Sequence, residues 1–412
     1  MQPTEERVIH PARSPLFRRG GARVLMVLAA ATALATGSPA TAPAAQRTSD
    51  DTIHVTYRGH VFTVPASWRV VDLEKDPDTC VRFDRHVVYL GTPGSRQNCP
   101  ADPTGRTEAL LLQPTGAAGT DVTENRTAGT YRATADRIAV TAAYGQDRTR
   151  IQEILRTAGL NVASARAETV AEAPAALAVP ADATSFRGKG FDACTAPSQT
   201  AMDAWKDTSG YGAVGVYIGG INRACAQPNL TASWVQKQYA NGWRFIPLYV
   251  GRQPSADGGS CGSGCAAITD AAPQGTAAAD DAARQAAAVG LGKGTVIYND
   301  LEHYTTGGAV TTRVLTYLEA YTERLHELGY RSGAYGSSSS LIQDLVAGAA
   351  DVTLPDVIHF ARWNDSATTE DSAIPARLWA DHQRIHQYAG DRTETHGGVK
   401  IGIDRNQLDV GP

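Results

Sequence analysis

The chain has 412 residues, a formal net charge of -4 and 19% charged residues. A nucleic-acid-binding protein needs a basic face, and this charge balance offers none, so we predict no nucleic-acid partner. The length suits two domains.

The first 44 residues have the order of an export signal. A basic stretch, residues 13–23, precedes an uncharged run, residues 24–36, and Ala42-Pro43-Ala44 offers a cleavage site. The uncharged run is shorter than the roughly 20 apolar residues that span a bilayer. We therefore predict a signal peptide over residues 1–44, with an uncleaved anchor as the alternative, and no other membrane contact. The pair Arg18-Arg19 leaves the choice between Sec and twin-arginine export open.

The six cysteines fit an oxidising compartment outside the cytoplasm, where an even number predicts disulfides. Cys80 and Cys99 are a natural pair, and Cys261 and Cys265 flank a flexible loop. That leaves Cys194 with Cys225, although the last four cysteines can pair in three ways. A metal site at Cys261 and Cys265 would need further ligands, and no histidine lies close by in the sequence. We predict no metal and no cofactor.

Residues 53–160 are expected to form a small α+β or mainly β module. Short β-rich runs are followed by an amphipathic helix, at residues 53–57, 61–64, 87–90, 110–112, 138–142 and 148–160. No acid–base pair is evident there, so a wall-binding or packing role is favoured over a catalytic one. Residues 161–185 are rich in Ala, Glu, Val and Pro without periodicity, which predicts a linker.

Beyond residue 185 strands alternate with helices. The predicted strands are residues 188–193, 214–218, 244–250, 295–300, 332–335, 357–363, 384–388 and 399–404. The predicted helices are residues 229–240, 276–289, 310–328, 341–346 and 375–381. This alternation predicts an α/β fold, a (β/α)8 TIM-like barrel over residues 186–412, with a doubly wound sheet as the alternative. Residues 390–398 are too few for a helix, so the last unit should be irregular.

Acidic residues lie at the ends of three predicted strands, where the active site of such a barrel gathers. They are Asp192, Asp300 with Glu302, and Asp404. Asp300 and Glu302 are two residues apart and so point to one face, roughly 6.5 Å apart. Crowding and desolvation should raise one carboxyl pKa and leave another low, the division that a glycosidase needs. We predict Glu302 as the acid and Asp300 as the charged partner, with Asp192 and Asp404 tuning them or positioning water.

Aromatic and amide side chains near the predicted mouth suit contacts with a sugar. The substrate-binding candidates are Tyr217, Tyr249, Tyr298, Tyr335, Trp363, Gln387 and Tyr388. Plain packing is the alternative for each aromatic residue. Structural roles are expected for His303, which points away from Glu302, and for His359 and His386, which lie in strands.

Five motifs of residues 187–412 resemble a known family. They are Gly190-Phe191-Asp192, residues 297–302, residues 333–337, His386-Gln387-Tyr388 and Gly402-Ile403-Asp404. The region resembles the glycoside-hydrolase-like proteins of domain of unknown function 1906, and is more distantly similar to glycoside hydrolase family 25, the lysozyme-type muramidases. The resemblance implies Glu302 as acid/base, Asp300 as assisting carboxylate and peptidoglycan as substrate class. Two departures are Ala193-Cys194 in place of a Ser-His stretch, and Asn299 in place of an apolar or aromatic residue.

Together these features predict a secreted, cell-wall-associated, monomeric glycoside hydrolase that acts on polysaccharide or peptidoglycan by carboxylate acid/base chemistry. A glycan-binding pseudoenzyme of the same fold is the main alternative. A phosphodiester-cleaving barrel is a third hypothesis, and it would need a metal and more histidines at the strand ends. The sugar, the linkage and a retaining or inverting outcome stay open, because rotamers span the difference in carboxyl separation.

Overall fold

The computed structural model describes residues 51–255 and 264–412, and Asp50–Pro412 form one compact unit. The predicted signal peptide and Cys261 lie outside the described residues, so both predictions stay untested. Within the described ranges no helix combines the length and apolar character that crossing a bilayer requires.

The N-terminal region is mainly β. A hairpin of β1 (Thr52–Tyr57) and β2 (His60–Pro65) accompanies a seven-stranded sheet of order β3-β4-β5-β8-β7-β6-β9. The sheet strands are β3 (Arg69–Asp72), β4 (Val87–Leu90), β5 (Ala109–Pro114), β6 (Asp121–Asn125), β7 (Thr130–Ala135), β8 (Ile138–Ala143) and β9 (Arg166–Ala167). Helix α1 (Arg148–Thr157) buries Ile151, Ile154 and Leu155. All five predicted strands and the predicted helix of this region are present. Strands β3, β6 and β7 are not predicted, because their sequences carry no clear signal.

Residues 161–185 are more ordered than the predicted linker. Strand β9 pairs in parallel with β6. The segment also contains three 3-10 helices, at Val162–Ser164 before β9 and at Ala175–Leu177 and Ala181–Thr184 after it. The Thr184 hydroxyl accepts a hydrogen bond from the Val296 amide at 3.0 Å. The segment thus joins the two sheets through specific contacts, which composition alone does not reveal.

All eight predicted barrel strands are present and close on each other in the order β10 to β17. They are β10 (Phe186–Asp192), β11 (Ala213–Gly219), β12 (Arg244–Tyr249), β13 (Val296–Leu301), β14 (Arg331–Ser337), β15 (Val357–Ala361), β16 (Gln383–His396) and β17 (Val399–Val410). The predicted TIM-like barrel is confirmed. Its helices are α2 (Gln199–Lys206), α3 (Ala232–Ala240), α4 (Ala271–Ala288), α5 (Gly308–Leu328) and α6 (Leu341–Ala347).

One helix was missed and one predicted helix is absent. Helix α2, capped by the Ser198 side chain, was not predicted, although Ser is a common N-cap residue. Residues 375–381 form turns instead of the predicted helix, and Trp379 there has a positive φ of 50°. Only seven residues lie in this stretch, which is too short for a helix without strong tertiary support.

The last strand runs in the opposite direction to the others. Strand β17 is antiparallel to both β16 and β10, and a two-residue turn of Gly397 and Gly398, with φ of 55° and 78°, joins it to β16. Such turns need two residues at positive φ, which glycine adopts without strain. The irregular last unit is therefore a hairpin, and its register places Asp404 directly opposite Asp192.

The N-terminal region packs against the barrel near the end of β11. The Phe83 amide donates to the Ala224 carbonyl and the Gly105 amide to the Asn222 carbonyl, both at 2.8 Å. The predicted disulfides Cys80–Cys99 and Cys194–Cys225 are both present, and the Sγ atoms of Cys80 and Cys225 lie 3.9 Å apart. The pairing of Cys265 with Cys261 stays a prediction.

Candidate active site

A cavity of about 640 Å³ lies at the carboxyl ends of the parallel barrel strands. Its wall has two sources. The barrel supplies Leu301, Glu302, His303, Tyr335, Ser337, Ser338, Ser339, Ala361, Arg362, Trp363, Gln387 and Asp391, and the N-terminal region supplies Arg82, Pro100, Asp102 and Pro103. The N-terminal region, expected to play no part in the site, thus covers one side of it.

Glu302 follows the last residue of β13 and is the predicted acid that lines the cavity. Its side chain is 8% exposed, and its Oε1 accepts a hydrogen bond from the Thr104 hydroxyl at 2.9 Å. The Gln253 side chain fixes the backbone here, because its Oε1 accepts from the Glu302 amide at 2.8 Å and its Nε2 donates to the Asp300 carbonyl at 2.9 Å. Glu302 is therefore held from both regions of the molecule.

Asp192 lies fully buried at the end of β10, below the cavity. Its oxygens accept from the Asn406 amide at 2.6 Å, the Tyr217 hydroxyl at 3.3 Å and the Gln387 amide at 3.4 Å. Burial raises the pKa of Asp192 to about 6, and these three donors oppose the rise. Of the buried aspartates in this group, Asp192 is the one best equipped to be charged at neutral pH.

Asp300 is buried in β13 without comparable support. Its Oδ1 has no hydrogen-bond partner among the described residues. Burial first, and then the nearby carboxyls of Glu302, Asp102 and Asp192, raise the pKa of Asp300 well above its usual range. The sequence predicts Asp300 as the charged partner, whereas these surroundings favour its neutral form, because the folded barrel leaves this carboxyl little solvation.

Asp404 meets two further aspartates that sequence reasoning did not identify. Its Oδ1 accepts from the Asp391 amide at 2.7 Å and its Oδ2 from the Gln387 amide at 3.2 Å. Carboxyl oxygens of Asp102, Asp391 and Asp404 lie within 4.8 Å of one another. Burial raises the pKa of Asp102 and of Asp404 well above the usual range, and repulsion from neighbouring carboxyls adds to it. These surroundings favour the neutral forms of Asp102 and Asp404.

The spacing of these three carboxyls would also suit a cation. Oxygen ligands are those that hard cations prefer. Both oxygens of Asp404 already accept hydrogen bonds, however, and acidic clusters form without metals. The group therefore does not by itself identify a metal site.

Gln387 links the acids to the aromatic wall of the cavity. Its Oε1 accepts from the Tyr335 hydroxyl and from the Trp363 indole, both at 3.0 Å, while its Nε2 faces Asp192 and Asp404. Trp363 is 55% exposed and lies against Gly390, where a Cβ atom would come within 1.9 Å of the indole ring. An exposed indole held flat at a cavity mouth is suited to stacking on a sugar ring.

Of the seven predicted substrate-binding residues, Tyr335, Trp363 and Gln387 line the cavity, and Tyr217 contacts Asp192 beneath it. The other three do not line this cavity. Tyr249 points outward and donates to Asp281 on α4 at 2.9 Å, and Tyr388 packs beside His386 on the face opposite Gln387. Tyr298 points inward but is buried, two residues before Asp300 and so one layer deeper. The alternation of side chains along a strand separates these positions, which distance from the strand end alone does not.

The three histidines differ in position. His359 is buried, and burial lowers its pKa to about 3, while its Nε2 contacts Asn406 Oδ1 at 2.7 Å. Because Asn406 in turn donates to Asp192, His359 is a neutral supporting residue, as predicted. His386 contacts two backbone carbonyls and has a structural role, also as predicted. His303 lines the cavity instead of pointing away from it.

The sequence held a weak signal for some of the residues that we missed. Asn406 lies two residues after Asp404, so a longer β17 would have placed both on one face. Asp102 and Thr104 flank Pro103 in an irregular segment with no catalytic pattern. Only the packing of the N-terminal region on the barrel brings them to Glu302, and no local motif encodes that contact.

The chain is similar to one protein family and to several solved structures. The family model described as the Rv2525c-like, glycoside hydrolase-like domain matches residues 203–408. The Mycobacterium tuberculosis Tat-secreted protein Rv2525c, solved with L-tartrate, is 17% identical with a TM-score of 0.39, covering 55% of this chain and 97% of that one. An uncharacterized B. stearothermophilus protein is also 17% identical, with a TM-score of 0.38 and coverage of 54% and 95%.

The catalytic domain of endolysin ply40, from bacteriophage P40 of Listeria monocytogenes, is 14% identical with a TM-score of 0.34, covering 54% of this chain and 93% of that domain. No curated protein matches the chain significantly. The matched family region, residues 203–408, contains Asp300, Glu302 and Asp404, while Asp192 lies just before it and Asp102 far outside.

Proposed function

The chain belongs to the family of Rv2525c-like, glycoside hydrolase-like domains, and from this we propose that it is an exported hydrolase of β-glycosidic bonds in cell-wall glycan of the peptidoglycan type. One observation carries the proposal. Four predicted carboxyl groups from β10, the end of β13 and β17 converge at one cavity, where Glu302 is at the wall and the others lie beneath it. Perturbed carboxyls that share a cleft are typical of catalytic sites.

We assign the roles from the surroundings of each carboxyl. Glu302 gives its proton to the glycosidic oxygen as the bond to the sugar breaks, since it alone of the four lines the cavity. Asp192 carries negative charge that stabilises the positive charge developing on the sugar, because three donors support its ionised form. Burial and neighbouring carboxyls raise the pKa of Asp300 and of Asp404, which favours their neutral forms, and Asp404 accepts hydrogen bonds from Asp391 and Gln387.

The compartment and substrate class rest on separate arguments. Two disulfides persist best outside the cytoplasm, and the similar protein Rv2525c is Tat-secreted. An exported protein meets the polymers of the cell wall. The exposed Trp363 beside Gln387 and Tyr335 offers the stacking surface and hydrogen-bonding groups that a saccharide needs.

A glycan-binding pseudoenzyme remains the second candidate function, and one contact favours it. The Thr104 hydroxyl of the N-terminal region donates to Oε1 of Glu302, the group that a hydrolase must present to its substrate. A protein that only binds glycan can keep this cover in place.

Glu302→Gln separates the two functions. For the hydrolase, loss of the acid should reduce release of reducing sugar from purified walls by about 10²- to 10⁴-fold, while wall binding and melting temperature stay unchanged. Glu327→Gln is the matched control, since that glutamate is exposed on α5 and forms only a surface ion pair. Mass analysis of the products identifies the sugar and the linkage.

Other outcomes decide against the hydrolase. A wild-type protein that binds walls but releases nothing across a broad glycan panel is a pseudoenzyme. Equal activity in the wild type and in Glu302→Gln removes Glu302 from the chemistry.

A further inference from the structure

A second cavity, of about 170 Å³, lies where the seven-stranded sheet meets the barrel. Both regions contribute to it. Three arginines line it, Arg106 and Arg132 from the N-terminal region and Arg223 from the loop after β11, together with the carboxylate Glu168 and several neutral groups. None of these residues belongs to the candidate active site.

Arg106 is almost completely buried, with 4% of its surface exposed. Its Nε donates to the Arg223 carbonyl at 2.8 Å and its Nη1 to the Ala128 carbonyl at 2.7 Å, while its guanidinium lies 5.7 Å from the centre of the Phe83 ring. All of these partners are neutral. Within the described ranges no carboxylate forms an ion pair with Arg106, although a buried cation normally has one.

Arg223 is held in the same way. Its Nη1 donates to the carbonyls of Tyr217 at 3.3 Å and Ile218 at 3.1 Å. Its Nε is buried and has no hydrogen-bond partner in the part of the chain that the structure describes. A buried donor without an acceptor is rare in folded proteins and calls for an explanation such as a bound ion.

The charges of the cavity do not balance. Arg132 pairs with Glu168 at 2.7 Å, and among the described residues no carboxylate lies within ion-pair distance of Arg106 or Arg223, although Asp281 attracts both from further away. Burial lowers the pKa of Arg106 to about 9 and that of Arg223 to about 10, and repulsion from the other arginines lowers them further. Burial of an unpaired charge costs free energy. An anion in the cavity would offset both the desolvation of the arginines and their mutual repulsion.

We propose that this cavity binds a small oxyanion with the size and charge of phosphate. Its volume equals that of about six water molecules and is below the roughly 300 Å³ of a drug-sized ligand site, so it suits an ion and not a sugar. Guanidinium groups present N–H donors in a planar fork that matches phosphate oxygens. The hydroxyls of Thr130 and Thr141 add neutral donors to the lining.

The test is binding of inorganic phosphate to the full chain, by calorimetry and by thermal unfolding at ionic strength matched with sodium chloride. We expect one phosphate per chain and a rise in melting temperature of about 3 to 5 °C when phosphate exceeds its Kd 100-fold. The same measurements are repeated with glycerol 1-phosphate in place of inorganic phosphate. Equal binding of it identifies a phosphate ester as the source, and binding of inorganic phosphate alone identifies the free ion.

Arg132→Gln should weaken phosphate binding at least tenfold, because it removes a charge from the rim without disturbing the buried arginines. Arg166→Gln is the matched control, since that arginine forms an exposed ion pair with Asp121 in the same sheet, and it should bind as the wild type does. Thr141→Val, which keeps the side-chain shape, replaces Arg132→Gln if that variant unfolds.

Two results overturn the proposal. One is the absence of any phosphate effect beyond that of chloride at equal ionic strength. The other is phosphate binding that neither Arg132→Gln nor Thr141→Val weakens, which places the ion elsewhere. In either case the arginines serve only to clamp backbone carbonyls.

Discussion

Glu108 in the N-terminal sheet and Asp300 in the barrel are both buried carboxyls, but their surroundings differ. Glu108 Oε1 accepts from the amides of Gly145, Gln146 and Asp147, and its Oε2 contacts His86 and Thr107 at 2.9 Å. Burial acts to raise its pKa, but the Asp147 amide, His86 and Thr107 together lower it to about 2. Asp300 has an oxygen without a partner and a raised pKa.

The difference separates a structural carboxyl from a functional one. Glu108 is charged and satisfied, and it connects β5 to the amide groups at the start of α1. Asp300 and its neighbours are crowded and incompletely solvated, an arrangement that costs stability. Perturbed carboxyls of this kind are typical of catalytic sites, so the contrast supports the proposal that the barrel carboxyls are the functional set.

The largest effect on stability is expected for Glu108→Ala. The change leaves three backbone amides at the start of α1 without an acceptor, so we expect the free energy of unfolding to fall by about 3 kcal/mol. Denaturant unfolding measures it. Asp121→Ala, which removes an exposed ion pair in the same sheet, should cost less than about 0.5 kcal/mol. Equal losses in the two variants would contradict the structural role of Glu108.

The pH dependence of stability should have opposite signs in the two regions. The pKa of Asp192 is about 6 in the folded protein and about 3.8 in the unfolded chain, so the folded protein binds more protons between these values. The free energy of unfolding therefore falls as pH rises from about 3.8 to about 6, by at most about 3 kcal/mol. Glu108 contributes stability above its unfolded pKa of 4.5 that is lost as pH falls towards 2. Melting temperature against pH should therefore peak between about 4 and 5.

Two variants test which group produces each side of the profile of melting temperature against pH. Asp192→Asn should flatten the decline on the alkaline side, and Glu108→Gln the decline on the acid side. A profile that keeps its alkaline decline in Asp192→Asn would show that other groups produce it.

Thr104→Val tests the contact between the two regions. Because the lost hydrogen bond contributes about 0.5 to 1.5 kcal/mol to the covered state, we expect hydrolysis to rise by about 2- to 10-fold. Thr104→Ser keeps the hydroxyl and should behave as the wild type. A fall in activity in the valine variant would mean that Thr104 supports the reaction instead of covering the acid.

The smallest effect is expected for Asp300→Asn. An amide replaces a carboxyl whose raised pKa favours the neutral form, so we expect the free energy of unfolding to change by less than about 1 kcal/mol. Chemical denaturation at pH 7 measures the change. A loss as large as that of Glu108→Ala would mean that Asp300 is charged and supported in the folded protein.

Much of the barrel could be predicted because its signals are local. Alternating strands and helices located all eight strands, and the motifs that end at Asp192, Glu302 and Asp404 identified residues that the fold brings together. The direction of β17 was missed although Gly397-Gly398 is a hairpin signal. Asp404 reaches the site because β17 runs antiparallel beside β10, and not because a strand ends there.

The parts that could not be predicted depend on contacts between distant segments. Asp102 and Thr104 reach Glu302 across about two hundred residues of chain, and no local pattern encodes that approach. The protonation of Asp300 likewise depends on how much water the folded barrel excludes. Tyr249 is different, since the alternation of β12 could have placed it on the outer face.

The pattern of disulfides has a consequence for access to the site. Cys80–Cys99 closes within the N-terminal region and Cys194–Cys225 within the barrel, so neither of these two bonds ties one region to the other. Among the described residues, the segment over Glu302 is therefore held to the barrel by noncovalent contacts such as the hydrogen bond of Thr104. In a reversible equilibrium between a covered and an uncovered Glu302, every 1.4 kcal/mol of contact energy removed would multiply the uncovered population by about ten.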